Sequence, residues 1–248
     1  MNTKQPATDQ DRRSAVAVGV LFLIALIPFM VGSALYGPST GPSDFLESAY
    51  PDRGTVTVGV LLEFVAVLAI PLIGAFMYPV LKRYGHALAL AYFGLRALEA
   101  LLLIINQAKV LSLIGLSDDH LNVAGTDASQ LQAMGDSLLR EKDQVFALYV
   151  LVFGLGALIF YALLYHSRLV PRWLSGWGFA AAAWMMIGTV ISMFDFFSGS
   201  DTLLELIFVI PIPLNEIVLA FWLIIKGFDR PAHQSDLDPA VDRAPINV

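Results

Sequence analysis

ALALAYFGLRALEALLLIINQAKVL, residues 87–111, is long and apolar enough to cross a bilayer, yet it carries Arg96, Glu99, Asn106 and Lys109. On an insertion scale each Leu, Ile, Val or Phe near the middle of a span contributes about −0.3 to −0.6 kcal/mol, and each central charge costs about +2.5 to +3.5 kcal/mol. A dozen apolar residues therefore roughly cancel two charges, and this stretch alone would insert only marginally. It needs polar partners on other helices. The stretch thus predicts a multi-pass bundle whose interior is partly polar.

The rest of the chain agrees. Of 248 residues, 57% are hydrophobic and 15% charged, with a mean hydropathy of +0.69, far too apolar for an ordinary soluble domain. Apolar runs of membrane-crossing length recur at 15–36, 56–81, 144–165, 173–196 and 203–225. Together with 87–111 they predict an all-α integral membrane bundle of six transmembrane helices. The first run is about twice as long as a signal-peptide core and is followed by more spans, so it reads as a retained helix, kinked at Pro28. The net charge of −6 comes with no basic face, which argues against nucleic acid, and the absence of cysteine excludes thiol chemistry and thiolate metal sites. The histidines lack metal-ligand spacing, and no HExxH, nucleophile elbow or phosphate loop occurs. No catalytic residue, metal or cofactor is assigned.

Six spans place both termini on one side. Arg12, Arg13, Lys82, Arg83, Arg168, Arg172, Lys226 and Arg230 flank the spans on that side, whereas the other side holds Arg53, Arg140 and Lys142 among many acids. The positive-inside rule then predicts cytoplasmic termini in the plasma membrane. The expected organisation is a cytoplasmic segment at 1–14 and a transmembrane domain at 15–228. An external loop at 117–143 has a surface helix in its second half, capped by Asp127. The Pro-rich tail at 229–248 is expected to be disordered.

Five strings, GVLFLIALIPF (19–29), YPVLKR (78–83), ALALAYFGLRALEALLL (87–103), LVFGLGALIFYALLYHSRLVPRWLSGWGF (151–179) and NEIVLAFWLIIKGF (215–228), together resemble the bacterial multi-pass membrane proteins of domain-of-unknown-function family 4386. The resemblance covers most of residues 12–228. It implies a six-helix membrane protein and brings no activity with it. The family pattern it implies includes Glu63, the Arg-x-x-Glu of Arg96 and Glu99, and Glu216; the chain departs from it at His166, where relatives often carry Arg.

Depth orders these polar residues. At 1.5 Å per residue, Arg96 lies about 15 Å and Glu99 about 20 Å from the end near His86, Glu216 about 15 Å from the same face, and Glu63 about 10 Å from the opposite one. Arg96 is expected to pair with Glu216, and Glu63 with Glu99. Asn106, seven residues beyond Glu99, continues the same face. Three carboxylates against one deep arginine leave excess negative charge in a dry interior. Charge balance therefore predicts that at least one of them, Glu63 or Glu99, carries a proton at neutral pH.

Pro211 and Pro213 lack N–H groups and should break the last span, leaving the carbonyls around Ile207 and Val209 without their helical donors. Pro213 is expected to start a second half-helix with Asn215 and Glu216 in its first turn. Broken helices beside buried charge resemble the sites of secondary transporters. Two functional classes lead, ahead of a third, an intramembrane enzyme, for which no nucleophile is recognisable. In one, Glu63, Arg96, Glu99, Asn106, Asn215 and Glu216 bind or move a small solute or protons. In the other, the chain is a non-transporting sensor or partner subunit whose polar network fixes helix packing. The bilayer is the partner common to both.

Overall fold

In a computed structural model the protein is described over residues 9–41, 45–122, 126–194 and 202–229. The helices are α1 (Asp9–Tyr36), α2 (Phe45–Ser48), α3 (Arg53–Leu81), α4 (His86–Asn122), α5 (Thr126–Ser167), α6 (Arg172–Met193), α7 (Thr202–Val209) and α8 (Pro211–Ile225), with a 3-10 turn at Pro38–Thr40. Among the described residues there is no strand, and six helical stretches are long and apolar enough to cross a membrane. The last of them, Leu206–Ile225, joins the end of α7 to α8.

Chain neighbours are also spatial neighbours. α1 packs on α3, α3 on α4, α4 on α5, α5 on α6, α6 on α8, and α8 returns to α1, which closes the six spans into a ring. The interior is filled at one end by buried apolar and aromatic side chains, including Phe22, Met77, Tyr92, Phe160, Tyr161 and Leu174. At that end the start of α1 meets the end of α8. The Arg12 guanidinium donates to the carbonyls of Leu223 (3.3 Å), Ile224 (2.8 Å) and Ile225 (3.3 Å), the last carbonyls of α8. A cation there also complements the negative end of the helix dipole. Arg83 pairs with Asp11 at 3.4 Å on the same end. The bases sorted by topology therefore do gather where the described chain begins and ends.

Two expectations change. The stretch 117–143 is not a loop carrying a separate surface helix: α4 runs on to Asn122 and α5 starts at Thr126 and continues without interruption into the span. Asp127 lies inside the first turn of α5, not before it. Helices of 37 and 42 residues are about 55 and 63 Å long, well beyond the roughly 30 Å of a hydrocarbon core. Leu113 and Leu139 on their projecting parts, with Phe45 and Leu46 of α2, form a buried cluster. The Ser117 hydroxyl donates to the Leu46 carbonyl at 2.7 Å and accepts from the Tyr50 amide at 3.0 Å. Local apolar spacing and side-chain packing thus keep the helices going where acidic composition suggested a loop. Secondly, α1 begins at Asp9, inside the segment assigned to the N-terminus, and passes through Pro28 as one helix. The tail for which disorder was expected lies, beyond Asp229, outside the described residues.

α1 and α3 approach most closely at Gly32 and Gly59. A Cβ on Gly32 would collide with the Gly59 carbonyl oxygen and reach 2.9 Å from Glu63 Cγ; one on Gly59 would lie 2.7 Å from the Gly32 carbonyl oxygen. Backbone meets backbone here, so neither side can give way. Gly32→Ala or Gly59→Ala should lower stability by about 1–3 kcal/mol, read as earlier thermal unfolding in detergent. Gly94→Ala, whose Cβ meets nothing within 4 Å, should be neutral or stabilising.

Candidate functional site

Among the described residues, the buried ionisable side chains of the spans fall into two groups. The first centres on Arg96, 5% exposed, in α4. α3 comes close beside it because Gly74 has no side chain: a Cβ there would lie 3.3 Å from Arg96 Cβ and 3.1 Å from Phe93. One turn on, Glu99 Oε2 lies 2.9 Å from Arg96 Nη1. That contact is an ion pair by distance whose angle falls outside hydrogen-bond geometry. Phe153 of α5 presents its ring 6.0 Å from the guanidinium carbon, a cation–π distance. Glu216 of α8 is half-buried and within electrostatic reach of both Arg96 and Glu99. Tyr92, stacked on Phe160 at 4.9 Å, and Tyr161 complete the surroundings. Arg96 Nε and the Tyr161 hydroxyl are buried without a hydrogen-bond partner among the described residues.

The second group centres on Glu63, 1% exposed, in α3. Tyr36, at the end of α1, donates its hydroxyl to Glu63 Oε1 at 2.8 Å, and Gln107 of α4 donates to Oε2 at 3.5 Å. The Gly32–Gly59 crossing brings α1 near enough for this. Both carboxylate oxygens therefore have donors from other spans, as a buried carboxyl requires.

The depth pairing needs correction. Glu63 meets Tyr36 and Gln107, not Glu99. Arg96 makes its direct pair with Glu99 on its own helix, with Glu216 of α8 within electrostatic reach. The i, i+3 spacing puts Glu99 nearer to the guanidinium than any carboxylate from another helix among the described residues. Asn106 does not join this line, because its side-chain amide donates to the Lys142 carbonyl of α5 at 2.8 Å. Lys109 pairs with Glu141 at 2.6 Å close by. Asn215 also turns away, donating to the Leu174 carbonyl of α6 at 3.0 Å. These two asparagines tie helices together; Arg96, Glu99 and Glu216 are brought into one cluster.

The helix break is smaller than expected. α8 starts at Pro211, not Pro213, and Ile210 keeps helical backbone angles (φ −55°, ψ −37°). Glu216 consequently falls in the second turn, away from any terminal donors. Pro211 cannot donate to the Ile207 carbonyl, and the Trp184 indole N–H of α6 does so instead at 3.3 Å. Its ring stacks on Phe208 at 4.7 Å. Substituting for a missing helical donor in this way is how membrane helices tolerate proline. Tyr36, Gln107 and Trp184 were not singled out from sequence. A tyrosine ending an apolar run and a glutamine following Asn106 are common features, and only the fold shows what they touch.

These features coincide with a family of the same extent. Residues 17–227 match the family described as "Domain of unknown function (DUF4386)". The chain belongs to this family. No curated protein and no solved structure matches it. The DUF4386 match takes in five of the six membrane-crossing stretches whole and the first from residue 17, and both polar groups lie within it.

Removing Arg96 leaves two carboxylates together without their cation. Arg96→Ala should cost about 3–5 kcal/mol; Tyr36→Phe, which removes one donor from Glu63, should cost about 1–3 kcal/mol. Thermal unfolding in detergent checks both, with Arg96→Ala expected to be the more damaging.

Proposed function

We propose that the Arg96–Glu99–Glu216 cluster binds and releases protons as part of the protein's activity in the bilayer. The observation that supports this reading most is the ratio of charges: of two carboxyl groups within electrostatic reach of one guanidinium only Glu99 is paired with it, and Arg96 and Glu99 are almost wholly covered by protein. An unmatched carboxylate in such a place costs several kcal/mol, and a bound proton removes that cost. The three groups come from α4 and α8, two different spans, so gaining or losing the proton changes the force between helices. Proton binding fits the cluster better than a large solute does, because side chains pack around the guanidinium on several sides. Under this reading the end of the bundle with Arg12, Lys82, Arg83 and Lys226 faces the cytoplasm of a plasma membrane.

One observation favours a structural role for part of the network. Glu63 has a donor on each oxygen, and Asn106 and Asn215 each bond a backbone carbonyl of another helix. These contacts suit a sensor or partner subunit in which polar groups set helix packing.

Proteoliposomes enclosing a pH-sensitive dye test the proposal. Under an imposed potential, the wild-type protein should pass or take up protons. Glu99→Gln and Glu216→Gln, each folded and inserted, should lower the signal by about tenfold or more. Signals from both variants equal to wild type would refute the proton role.

A further inference from the structure

The last part of α8 carries an open groove of about 300 Å³, lined by Val218, Phe221, Trp222, Ile225 and Lys226. The lining is apolar except at one end, where Lys226 follows the last residue of α8. From Val218 to Lys226 the groove runs about 12 Å along the helix, from the end of a membrane-crossing stretch back into it. Two hydrogen bonds lay the connection between α5 and α6 along this part of the chain. The Asp229 amide donates to the Leu169 carbonyl at 2.8 Å, and the Asn215 side chain to the Leu174 carbonyl at 3.0 Å. Arg172 lies between these ties, and Arg168 just before the first. Arg168 has a left-handed backbone (φ 55°), a conformation that glycine adopts freely and a residue with a Cβ does not. The turn it makes buries Leu169 and Val170 and leaves the arginine exposed. Arg172 sets its guanidinium over the Tyr165 ring at 5.0 Å, and Trp173 next to it is 57% exposed. Arg168, Arg172 and Lys226 have no ion pair among the described residues. The segments 168–174 and 218–229 hold one acid, Asp229, against these three cations. All three stand at the ends of membrane-crossing stretches, the level of lipid headgroups, where tryptophan also anchors.

We propose that this end of the bundle binds a phospholipid with an anionic headgroup. One acyl chain lies in the α8 groove against Phe221, Trp222 and Ile225, and the phosphate sits at the mouth of the groove beside Lys226. Arg168 and Arg172 on the adjoining connection supply the further positive charge that favours an anionic headgroup over a zwitterionic one. An apolar groove that ends in a cation has the layout of a phospholipid. A groove about 12 Å long is too short for a partner's span, which would pack along the roughly 30 Å of the hydrocarbon. A free phosphate would leave the apolar lining uncovered. The site is separate from the Arg96 cluster and holds whether or not that cluster moves protons.

Native mass spectrometry of the full chain in detergent, titrated with phosphatidylglycerol or phosphatidylcholine of identical acyl chains, tests the site. Wild type should hold one phosphatidylglycerol about tenfold more tightly than phosphatidylcholine, or better. Lys226→Gln, Arg168→Gln and Arg172→Gln should each weaken phosphatidylglycerol by about fivefold, and raised salt should weaken it too. Val218→Trp, which fills the groove, should weaken both lipids. Arg53→Gln, at the opposite end of the bundle, should change neither. Glycerol 3-phosphate, a headgroup without tails, should not displace the lipid at equal concentration. Equal retention of the two lipids by wild type overturns the proposal, and this comparison decides even where a variant fails to fold. Phosphatidylglycerol binding that survives removal of all three cations overturns it as well. Displacement by glycerol 3-phosphate, or a dimer that Val218→Trp abolishes, overturns it in favour of a free phosphate ester or of a second copy of this chain.

Discussion

A charge inside a bilayer must find its counterpart within the protein, and Arg96 imposes that requirement on the whole bundle. The guanidinium remains charged at any physiological pH, so its surroundings have to adapt to it. Glu99 supplies the nearest opposite charge from the same helix, Phe153 the face of a ring, and Glu216 a second carboxyl from α8. Close approach of α3 at Gly74 helps seal the site. Without such an arrangement, the span that carries Arg96 would gain little from insertion.

The same rule explains the other polar contacts. Glu63 takes donors from α1 and α4, Asn106 binds a carbonyl of α5, and Asn215 one of α6. The carbonyl freed by Pro211 is met by Trp184. Each contact crosses between helices, and together they hold the ring in register where apolar packing against lipid gives no preference. What distinguishes the Arg96 cluster is that its carboxyl groups outnumber its cation. The Glu63 group is closed and fully bonded; the Arg96 group retains an unbonded guanidine nitrogen and a buried tyrosine hydroxyl beside it. A place that is tightly packed yet electrostatically unbalanced suits an occupant as small as a proton.

Much of the architecture was readable because bilayer thickness and backbone hydrogen bonding leave few options for apolar runs of this length. Six spans, and the gathering of bases at the end where the described chain starts and stops, followed from those constraints. The projecting parts of α4 and α5 did not, since their acidic surface hides the few leucines that pack on α2. Depth along a helix was legible for Arg96, Glu99, Glu216 and Glu63, but rotation about the helix axis was not. Depth alone therefore pairs Glu63 with Glu99, whereas its partners are Tyr36 and Gln107, and it draws Asn106 and Asn215 into a single network that rotation divides. The prolines announced a fault in the last span, and the backbone beside Ile210 stayed helical because a neighbouring indole replaced the lost donor.

A density map of the protein in lipid nanodiscs, resolved well enough to place side chains in α4 and α8, tests the central claim most directly. The account predicts the Arg96 guanidinium inside the ring of helices, about 3 Å from a Glu99 oxygen, with the Glu216 carboxyl turned toward it. A guanidinium directed at the acyl chains, or a Glu216 carboxyl pointing out of the bundle, would contradict it.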